Sequence, residues 1–289
     1  MQSNIHESHM QASLFNEYLL AENDDWSICL ENSFAVLRKS WQSEWVGLPY
    51  LLSRCVVFLN LSATSLSSDA SQMLLTAKAI AERIEFQCSQ SSVETEPKYH
   101  NRLHTADVLT SLSILIFIQS KNQGDLDKDW IACALLAAIA HDFEHPGKVN
   151  QFESEIESNT MSQLQPFLLT HQVPSHWCNA LERAILRSDF ALVQKNHELV
   201  KGKKFQCDQD WLNVYLNEAD VMASATTKFG PELGNSLAEE WRMINFSAHQ
   251  TVSTSTGRKA FLKQLVFSSD ASKHLQINSK IALELSHLA

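Results

Sequence analysis

The segment IACALLAAIAHDFEHPGKVNQF, residues 131–152, constrains the fold of this chain more than any other. Residues Ile131–Ala140 are rich in Ala and Leu and contain neither Gly nor Pro, which predicts a helix buried on most sides. His141 and Asp142 follow directly, and Pro146-Gly147 then ends the helix. A buried helix therefore brings an imidazole and a carboxylate to one place. Because a buried carboxylate needs a cationic partner, we expect a cation there.

A second cluster lies upstream, in the segment YHNRLHTADV. His100 and His104 are four residues apart, which predicts that both rings share one helix face with Cβ atoms about 5–6 Å apart. A single His-Asp pair is more simply a hydrogen-bonded core histidine, but two such clusters on predicted helices favour a metal site. His104, His141, Asp142 and a later acidic residue would offer two imidazoles and two carboxylates, a donor set suited to zinc or another transition metal. Bridging carboxylates can hold a second, harder ion such as magnesium or manganese.

Helix-breaking residues are scarce, with seven Gly and six Pro, and they lie mostly between long segments that contain neither. This pattern predicts an all-α protein. The periodicity and the breakers predict helices over the following segments: two within Trp26–Asn60 separated near Gly47 and Pro49, then Asp69–Cys88, a helix from the first histidine cluster to about Gln119, Ile131–Ala140, Lys148–Leu169 broken at Pro166, Ser175–Val193 with Ser175 as N-cap, Trp211–Thr226 followed by a stop at Gly230-Pro231, Leu233–Phe246, Arg258–Phe267 and Ile277–Leu288.

The remaining segments are predicted to be loops or lead-in. Residues 1–25 are weakly specified, residues 87–97 are polar, and residues 247–257 are predicted to form a mobile loop. No internal repeat and no strong linker appears. We therefore expect one helical domain over residues 1–289, with an N-terminal helical part (1–95) and a part that holds the metal site and the C-terminal helices (96–289).

Charge and cysteine usage limit the partners and the compartment. The formal net charge of −10 disfavours a nucleic-acid binder or an anionic-membrane binder, because both need a basic surface. The six cysteines are scattered without a CxxC pair, which favours free thiols in a reducing compartment. The N-terminus lacks a signal-peptide pattern, and apolar runs such as Val108–Ile118 are shorter than the roughly 18–20 residues of a spanning helix. We expect a cytoplasmic protein without a membrane partner.

The segments YHNRLHTADV and HDFEHPGKVNQF closely resemble the two signature segments of the class I cyclic nucleotide phosphodiesterases, a branch of the HD-domain phosphohydrolases. The resemblance continues, more weakly, as an ordered pattern over about Lys98–Phe267. It implies a compact multi-helix bundle that hydrolyses 3′,5′-cyclic nucleotides, cAMP or cGMP or both, to 5′-monophosphates. It also implies two divalent metal ions, zinc plus magnesium or manganese, and a hydroxide formed between them that attacks phosphorus.

The resemblance also assigns roles to residues. It implies four metal ligands: His104, His141, Asp142 and Asp220. Asp220 is preferred as the last ligand because it follows Ala219, and Asp189 in ILRSDFAL is its rival and otherwise a supporting residue of the pocket. His100 resembles the general acid that protonates the leaving 3′ oxygen. The other implied contacts are Tyr99, His145, Phe261 and Arg258 with the substrate, and Asp107 with a ligand or helix behind the site.

Two features depart from that family pattern. The family carries a Glu followed by paired histidines on the next helix, whereas residues 153–175 contain only His171 as a remnant. The family also places a Gln three residues before the Phe that stacks on the base, and here Arg258 stands three residues before Phe261. Arg only donates hydrogen bonds, so Gln264 or Gln250 would have to replace the missing amide. Adenine versus guanine stays open, and Phe261 is equally well explained as a core aromatic.

Two alternatives to a cyclic nucleotide phosphodiesterase follow from these departures. One is another HD-domain phosphohydrolase, a nucleotidase or an alarmone hydrolase, because the minimal His…His-Asp…Asp set is shared. The other is a catalytically weak nucleotide-binding regulator that keeps the fold. The YHN and HPGxxNxF segments favour the phosphodiesterase, and His100 with all four expected ligands argues against the regulator. The oligomeric state is not predicted.

Overall fold

The computed structural model describes residues 19–21, 25–90 and 96–288. Most of the predicted lead-in and the middle of the polar loop at 87–97 lie outside these residues. The described residues form fourteen α-helices and two short 3₁₀ turns, at Ala63–Ser65 and Phe190–Leu192. The helices are α1 (Trp26–Ser43), α2 (Leu48–Phe58), α3 (Ser68–Gln90), α4 (Arg102–Gln123), α5 (Lys128–Ala140), α6 (Glu155–Thr170), α7 (Ser175–Leu186), α8 (Val193–Val200), α9 (Gln209–Ala225), α10 (Gly230–Trp241), α11 (Phe246–Val252), α12 (Ser255–Gln264), α13 (Asp270–His274) and α14 (Ile277–His287).

Two adjacent helices, α4 and α5, form the centre of the molecule. All residues from His104 to Gln119 on α4 and from Trp130 to Ala140 on α5 are buried. Helices α1, α2 and α9 pack against α4, and α3 and α7 pack against α5. The all-α prediction and the predicted buried helix before His141 are both confirmed.

Helix α9 brings the last expected ligand to the centre. Asp208 is its N-cap, and the Asp208 side chain accepts a hydrogen bond from the backbone N–H of Trp211 at 3.0 Å. The helix then packs along α4, and nearly all of its residues are buried. Asp220 is partly exposed and lies where α9 passes the first turn of α4.

The first histidine cluster starts differently from the prediction. Asn101 is the N-cap of α4, and its Oδ1 accepts the backbone N–H groups of Leu103 (2.9 Å) and His104 (3.1 Å). His100 therefore lies before the helix, and the prediction that His100 and His104 share one helix face is wrong. The strong preference of Asn for the N-cap is the physical reason. The two ring centroids are nevertheless only 5.8 Å apart.

Two helix boundaries predicted from proline residues differ from those in the structure. Pro166 lies inside α6 and does not break it. Because proline has no N–H group, the backbone carbonyl of Ser162 loses its helical partner. Both Ser162 and Pro166 are exposed, so water can solvate that carbonyl. Gly230-Pro231 begins α10 instead of ending a unit, since proline is tolerated in a first helical turn.

The segment predicted as one helix over Ser175–Val193 consists of three elements. Helix α7 begins at Ser175, has Pro174 as its N-cap residue and ends at Leu186. The Asp189 side chain then accepts the backbone N–H of Ala191 at 2.9 Å, which caps the 3₁₀ turn that leads into α8. The predicted mobile loop at 247–257 is also mostly helical, because α11 and α12 occupy it and Thr254 caps α12.

Helix α4 is long enough and apolar enough to cross a membrane by length and composition, contrary to the expectation that the apolar runs are too short. Within the structure, 89% of its apolar window is buried among the other helices. A helix buried to this extent is typical of a protein core.

Candidate active site

The four predicted metal ligands converge at one point. His104 Nε2 lies 3.2 Å from Asp142 Oδ2 and 3.1 Å from Asp220 Oδ1. His141 Nε2 lies 3.2 Å from the same Asp142 oxygen and 3.7 Å from the Asp220 oxygen. The two Nε2 atoms are 3.4 Å apart. Three helices supply the set, because His104 is on α4, His141 and Asp142 follow α5, and Asp220 is on α9.

This donor set fits a single divalent transition-metal ion. Atoms that bind one ion at about 2.1 Å are separated by about 3.0–3.4 Å in tetrahedral or octahedral geometry. The separations of 3.1–3.7 Å lie close to that range. His141 Nδ1 lies 3.0 Å from the backbone carbonyl of Ala138 and donates to it, so the Nε2 lone pair remains for a metal.

The charges at this point also favour a cation. Burial lowers the pKa of the His141 imidazole, but Asp142 and Asp220 outweigh it and raise the pKa overall. Burial raises the pKa of Asp142, but the neighbouring imidazoles of His141 and His104 hold it well below its usual range. The two carboxylates therefore attract positive charge, and a divalent ion would compete with protons for the imidazoles.

His100 is held beside this set by a residue that the sequence analysis did not identify. Glu240, near the end of α10, accepts a hydrogen bond from His100 Nδ1 and two more from the backbone N–H groups of Tyr99 (2.7 Å) and His100 (3.0 Å). Burial raises the pKa of Glu240, but the hydrogen bonds and charge of His100 outweigh it and lower the pKa. A charged Glu240 therefore orients the ring of His100 and leaves Nε2 as its second proton site.

His145 stacks on His100, with ring centroids 3.8 Å apart and an interplanar angle of 26°. Burial, followed by the charge of His100, lowers the pKa of His145 to about 4, so this imidazole is neutral at pH 7. The backbone N–H of Gly147 donates to His145 Nδ1 at 3.1 Å. His145 therefore carries its proton on Nε2, where it can donate a hydrogen bond.

Tyr99 packs against the ligand set. Its ring centroid is 4.8 Å from that of His104, and its hydroxyl is 3.0 Å from Ser224 Oγ. Ser224 lies one turn after Asp220 on α9. Tyr99 thus links the start of α4 to the end of α9, and its predicted contact with substrate stays a prediction.

The two carboxylates predicted to support the site serve as structural anchors. Asp107 makes a bidentate ion pair with Arg38 of α1, at 2.9 and 3.0 Å, and both side chains are buried. Asp189 is buried and accepts the backbone N–H of Ser154 at 2.8 Å as well as that of Ala191. Asp220, and not its rival Asp189, shares the site with His104 and His141.

The family-like Glu-His-His set has no counterpart on α6. The helix carries Glu157 in its first turn, and this carboxylate accepts a hydrogen bond from Asn150 Nδ2 at 2.9 Å. Burial raises the pKa of Glu157, and the charges of Asp189 and Asp142 raise it further. His171 is the C-cap residue at the opposite end of the helix.

Arg258 is engaged in contacts within the protein. Its Nε and Nη2 donate to the two carboxylate oxygens of Glu284 on α14, at 2.8 and 3.0 Å. Nη1 donates to the carbonyl of Ser224, and Nη2 also donates to the carbonyl of Thr226 at 3.2 Å. These bonds join α12 and α14 to the C-terminal end of α9. They leave little of the guanidinium for the predicted contact with substrate.

The close approach of Arg258 requires a glycine at position 230. A Cβ atom at Gly230 would lie 2.5 Å from Arg258 Nη2 and 2.5 Å from the Ser224 carbonyl oxygen. We expect Gly230→Ala to lower the free energy of unfolding by about 1–3 kcal/mol, because the guanidinium must shift. Urea unfolding would measure this loss. Gly234→Ala is the matched control, since its Cβ would meet only the Val252 carbonyl at 3.8 Å, and an equal loss in both variants would contradict the explanation.

Phe261 is partly buried, and its ring lies nearly parallel to that of Phe190, with centroids 6.2 Å apart and an interplanar angle of 21°. Gln250 and Gln264, the suggested replacements for the family's Gln, are both exposed. Nothing in the sequence around Phe190 or Glu240 separates them from ordinary helix residues. Their partners are 71 and 140 positions away, a separation that no local pattern reveals.

The fold and the donor set define an all-α protein with a buried two-histidine, two-carboxylate centre. Residues 99–166 match the family model described as 3′5′-cyclic nucleotide phosphodiesterase. Among solved structures, the phosphodiesterase domain of the RhoPDE fusion protein from the choanoflagellate Salpingoeca rosetta is similar, with a TM-score of 0.54 and 16% identity over 95% of this chain and 90% of that chain. The predicted resemblance to the class I cyclic nucleotide phosphodiesterases is thereby confirmed.

Curated relatives match over shorter stretches. A mouse protein described as high affinity cAMP-specific and IBMX-insensitive 3′,5′-cyclic phosphodiesterase 8A is 37% identical over 67 residues, which is 23% of this chain and 8% of the relative. A cGMP-specific 3′,5′-cyclic phosphodiesterase delta from Plasmodium falciparum is 32% identical over 105 residues, which is 34% of this chain and 13% of the relative. The matched regions are thus about a tenth of each relative's length.

Proposed function

We propose that this protein is a metal-dependent hydrolase that opens 3′,5′-cyclic nucleotides to 5′-nucleoside monophosphates. The observation that carries the proposal is the position of the His100–Glu240 pair beside the ligand set, with the ring centroids of His100 and His104 5.8 Å apart. A proton donor and a cation site next to each other are what the cleavage of a phosphodiester needs. The matched phosphodiesterases support the same chemistry.

The ligand set His104, His141, Asp142 and Asp220 would hold one ion, which we propose is zinc. The second Asp142 oxygen, with Glu157 adding acidic charge nearby, would favour a harder ion, magnesium or manganese. Bound divalent ions supply an activated water and neutralise charge on the phosphoryl oxygens. The chain itself must then position the phosphate and protonate the leaving group.

In the proposed reaction a water oxygen forms the new bond to phosphorus, and the bond from phosphorus to the ribose 3′ oxygen breaks. The 3′ oxygen leaves poorly unless it is protonated, and the His100 imidazolium can give it the proton from Nε2. Glu240 stabilises that imidazolium through Nδ1. His145, neutral and protonated on Nε2, can donate a hydrogen bond to a phosphoryl oxygen without adding charge.

We also propose the setting in which the protein acts. A cyclic nucleotide is the proposed small-molecule partner, and the net charge of −10 argues against nucleic acid or an anionic membrane as a partner. None of the six cysteines, all of which lie in the described part of the chain, forms a disulfide, which suits a reducing cytoplasm.

The test is the turnover of cAMP and cGMP with added zinc, magnesium or manganese. We expect His100→Ala to lower kcat by about 10²–10⁴-fold while metal content stays unchanged, because the residue would supply a proton and not a ligand. We expect Glu240→Gln to lower kcat by about 10–100-fold, because the His100 ring loses the carboxylate that orients it.

Glu239→Gln is the matched control for Glu240→Gln. Glu239 is the preceding residue, and its ion pair with Arg242 at 3.3 Å is exposed, so kcat should not change. If the protein releases inorganic phosphate from nucleoside monophosphates and leaves both cyclic nucleotides intact, the proposal is wrong and the protein is a nucleotidase. Binding of cyclic nucleotide without turnover under any of the three metals would instead indicate a regulator.

A further inference from the structure

The turn 96–102, which carries His100, is joined at its two ends by an ion pair between Arg102 and Glu96. Arg102 Nε and Nη2 donate to the two Glu96 carboxylate oxygens, at 3.1 and 3.0 Å. The backbone N–H of Arg102 donates to one of the same oxygens at 3.0 Å. Both side chains are largely buried. The start of α4 and the beginning of the turn are therefore held together by both backbone and side chain.

Hydrogen bonds inside the turn fix the backbone between these ends. Asn101 Nδ2 donates to the carbonyls of Pro97 and Lys98, at 3.1 Å each. The backbone N–H of Asn101 donates to the carbonyl of Tyr99 at 2.8 Å. The turn thus has little freedom to deform, so a shift of either end would move His100 with it.

Arg102 also attaches the turn to the N-terminal helices. Its Nη1 donates to Glu85 Oε2 on α3 at 2.7 Å. The other Glu85 oxygen accepts Trp45 Nε1 and the backbone N–H of Leu48, both at 2.8 Å, where α1 is followed by α2. The Arg102 guanidinium carbon lies 5.1 Å from the Trp41 ring centroid of α1. One guanidinium therefore connects the turn to α1, α2 and α3.

The position of a proton donor decides how much it contributes to a reaction. A displacement of about 1 Å from the productive geometry can lower a rate by about 100-fold. Glu240 orients the His100 ring through Nδ1, but it cannot by itself fix where the backbone of His100 lies. The contacts of Arg102 with Glu96 and Glu85 fix that backbone.

We propose that Arg102 is a positioning residue for the proton donor, because it attaches the turn 96–102 to the N-terminal helices and so places the His100 ring. The inference rests on the proposed function for the role of His100. It adds a residue that the sequence analysis did not single out. It also gives the N-terminal helical part a task in the reaction, as the support of the turn.

The first test compares two phosphodiesters that differ in their need for a proton donor. The 3′ oxygen of cAMP leaves poorly without a proton, whereas the p-nitrophenolate of bis(p-nitrophenyl) phosphate leaves without one. Arg102→Met should lower kcat for cAMP by about 10–100-fold. KM for cAMP, the rate with bis(p-nitrophenyl) phosphate and the metal content should stay nearly unchanged. Damage to the metal site would instead lower both rates.

The second test needs no turnover. Hydrogen–deuterium exchange, followed by mass spectrometry, reports how often the backbone amides of the turn lose their hydrogen bonds. In Arg102→Met the amides of residues 99–104 should exchange at least about tenfold faster than in the wild type. The amides of residues 106–119, in the buried part of α4, should exchange as before.

Three further variants separate positioning from stability. Arg102→Lys keeps the charge without the planar fork and should recover only part of kcat for cAMP. Glu85→Gln keeps one oxygen for α1 and α2 but turns an amide towards Arg102, which cannot accept its bond, so kcat should fall while the fold is kept. Arg183→Met removes an exposed arginine that pairs with Asp210 at 3.2 Å and should change neither kcat nor exchange.

The outcomes distinguish failure of the positioning role from failure of the proposed function. Unchanged exchange at residues 99–104 in Arg102→Met would overturn the positioning role, as would equal losses of rate on the two diesters. If melting curves show that Arg102→Met does not fold, Glu85→Gln decides the question in the same assays. A wild type that cleaves no cyclic nucleotide, together with faster exchange in the variants, would keep Arg102 as the residue that places His100 and overturn the proposed hydrolysis.

Discussion

Asp142→Ala should abolish both metal binding at the His104–His141 centre and hydrolysis of cyclic nucleotides, with kcat falling at least about a thousandfold. One Asp142 oxygen lies 3.2 Å from the Nε2 atoms of both His104 and His141, so its removal takes away the carboxylate that the two imidazoles share. Metal content by elemental analysis and initial rates at saturating cAMP would measure the two effects.

Two further variants sharpen this experiment. Asp210→Asn changes a carboxylate on the same helix as Asp220 that pairs with Arg183 and Lys203, and it should keep both metal and activity. Asp189→Asn tests the rival ligand directly. We expect it to retain the metal, because Asp189 holds backbone N–H groups and not the imidazoles. Loss of metal in Asp189→Asn, with Asp220→Asn fully loaded, would reverse the assignment of the last ligand.

Asp107→Ala should lower the free energy of unfolding by about 3–5 kcal/mol, the largest expected loss of stability for a single substitution behind the site. The change leaves the Arg38 guanidinium buried without its bidentate partner. Arg38 also lies 4.3 Å from the Phe229 ring centroid, so an unpaired charge would remain among aromatic side chains. Chemical denaturation would measure the loss.

The double variant Arg38→Met/Asp107→Leu should be more stable than Asp107→Ala, because replacing a whole buried pair by apolar groups removes both charges at once. Glu82→Ala removes one member of the exposed Lys78–Glu82 pair and should cost less than about 1 kcal/mol. If Asp107→Ala and Glu82→Ala lower the free energy of unfolding equally, burial of the Arg38–Asp107 pair does not determine the cost of breaking it.

The sequence was most informative where chemistry and helix formation coincide. Helix α5 and the His141-Asp142 pair could be predicted together, because an uninterrupted apolar helix that ends in metal-binding residues leaves few alternatives. The family resemblance predicts Asp220 as the last ligand because it follows Ala219, and the structure places it beside His104.

The structure differs from the sequence predictions where a local N-cap or a contact between distant residues decides the conformation. Asn101 caps the start of α4, which the four-residue spacing of His100 and His104 does not reveal. The family resemblance predicts a substrate contact for Arg258, but its N–H groups donate to Glu284 and to carbonyls at the end of α9, 26 to 34 positions away. Contacts of this kind depend on how helices pack, and packing is set by the whole chain.

The attachment of His100 to Glu240 has a consequence for heat inactivation. The proposed metal ligands are carried by α4, by the residues after α5 and by α9 in the centre of the molecule, whereas His100, the proposed proton donor, is held by Glu240 near the end of helix α10. Local opening of α10 costs less free energy than global unfolding, because fewer buried contacts are lost. On warming, we therefore expect the proposed activity to fall at a temperature below global melting, because His100 loses its Glu240 partner while the four proposed metal ligands stay in place.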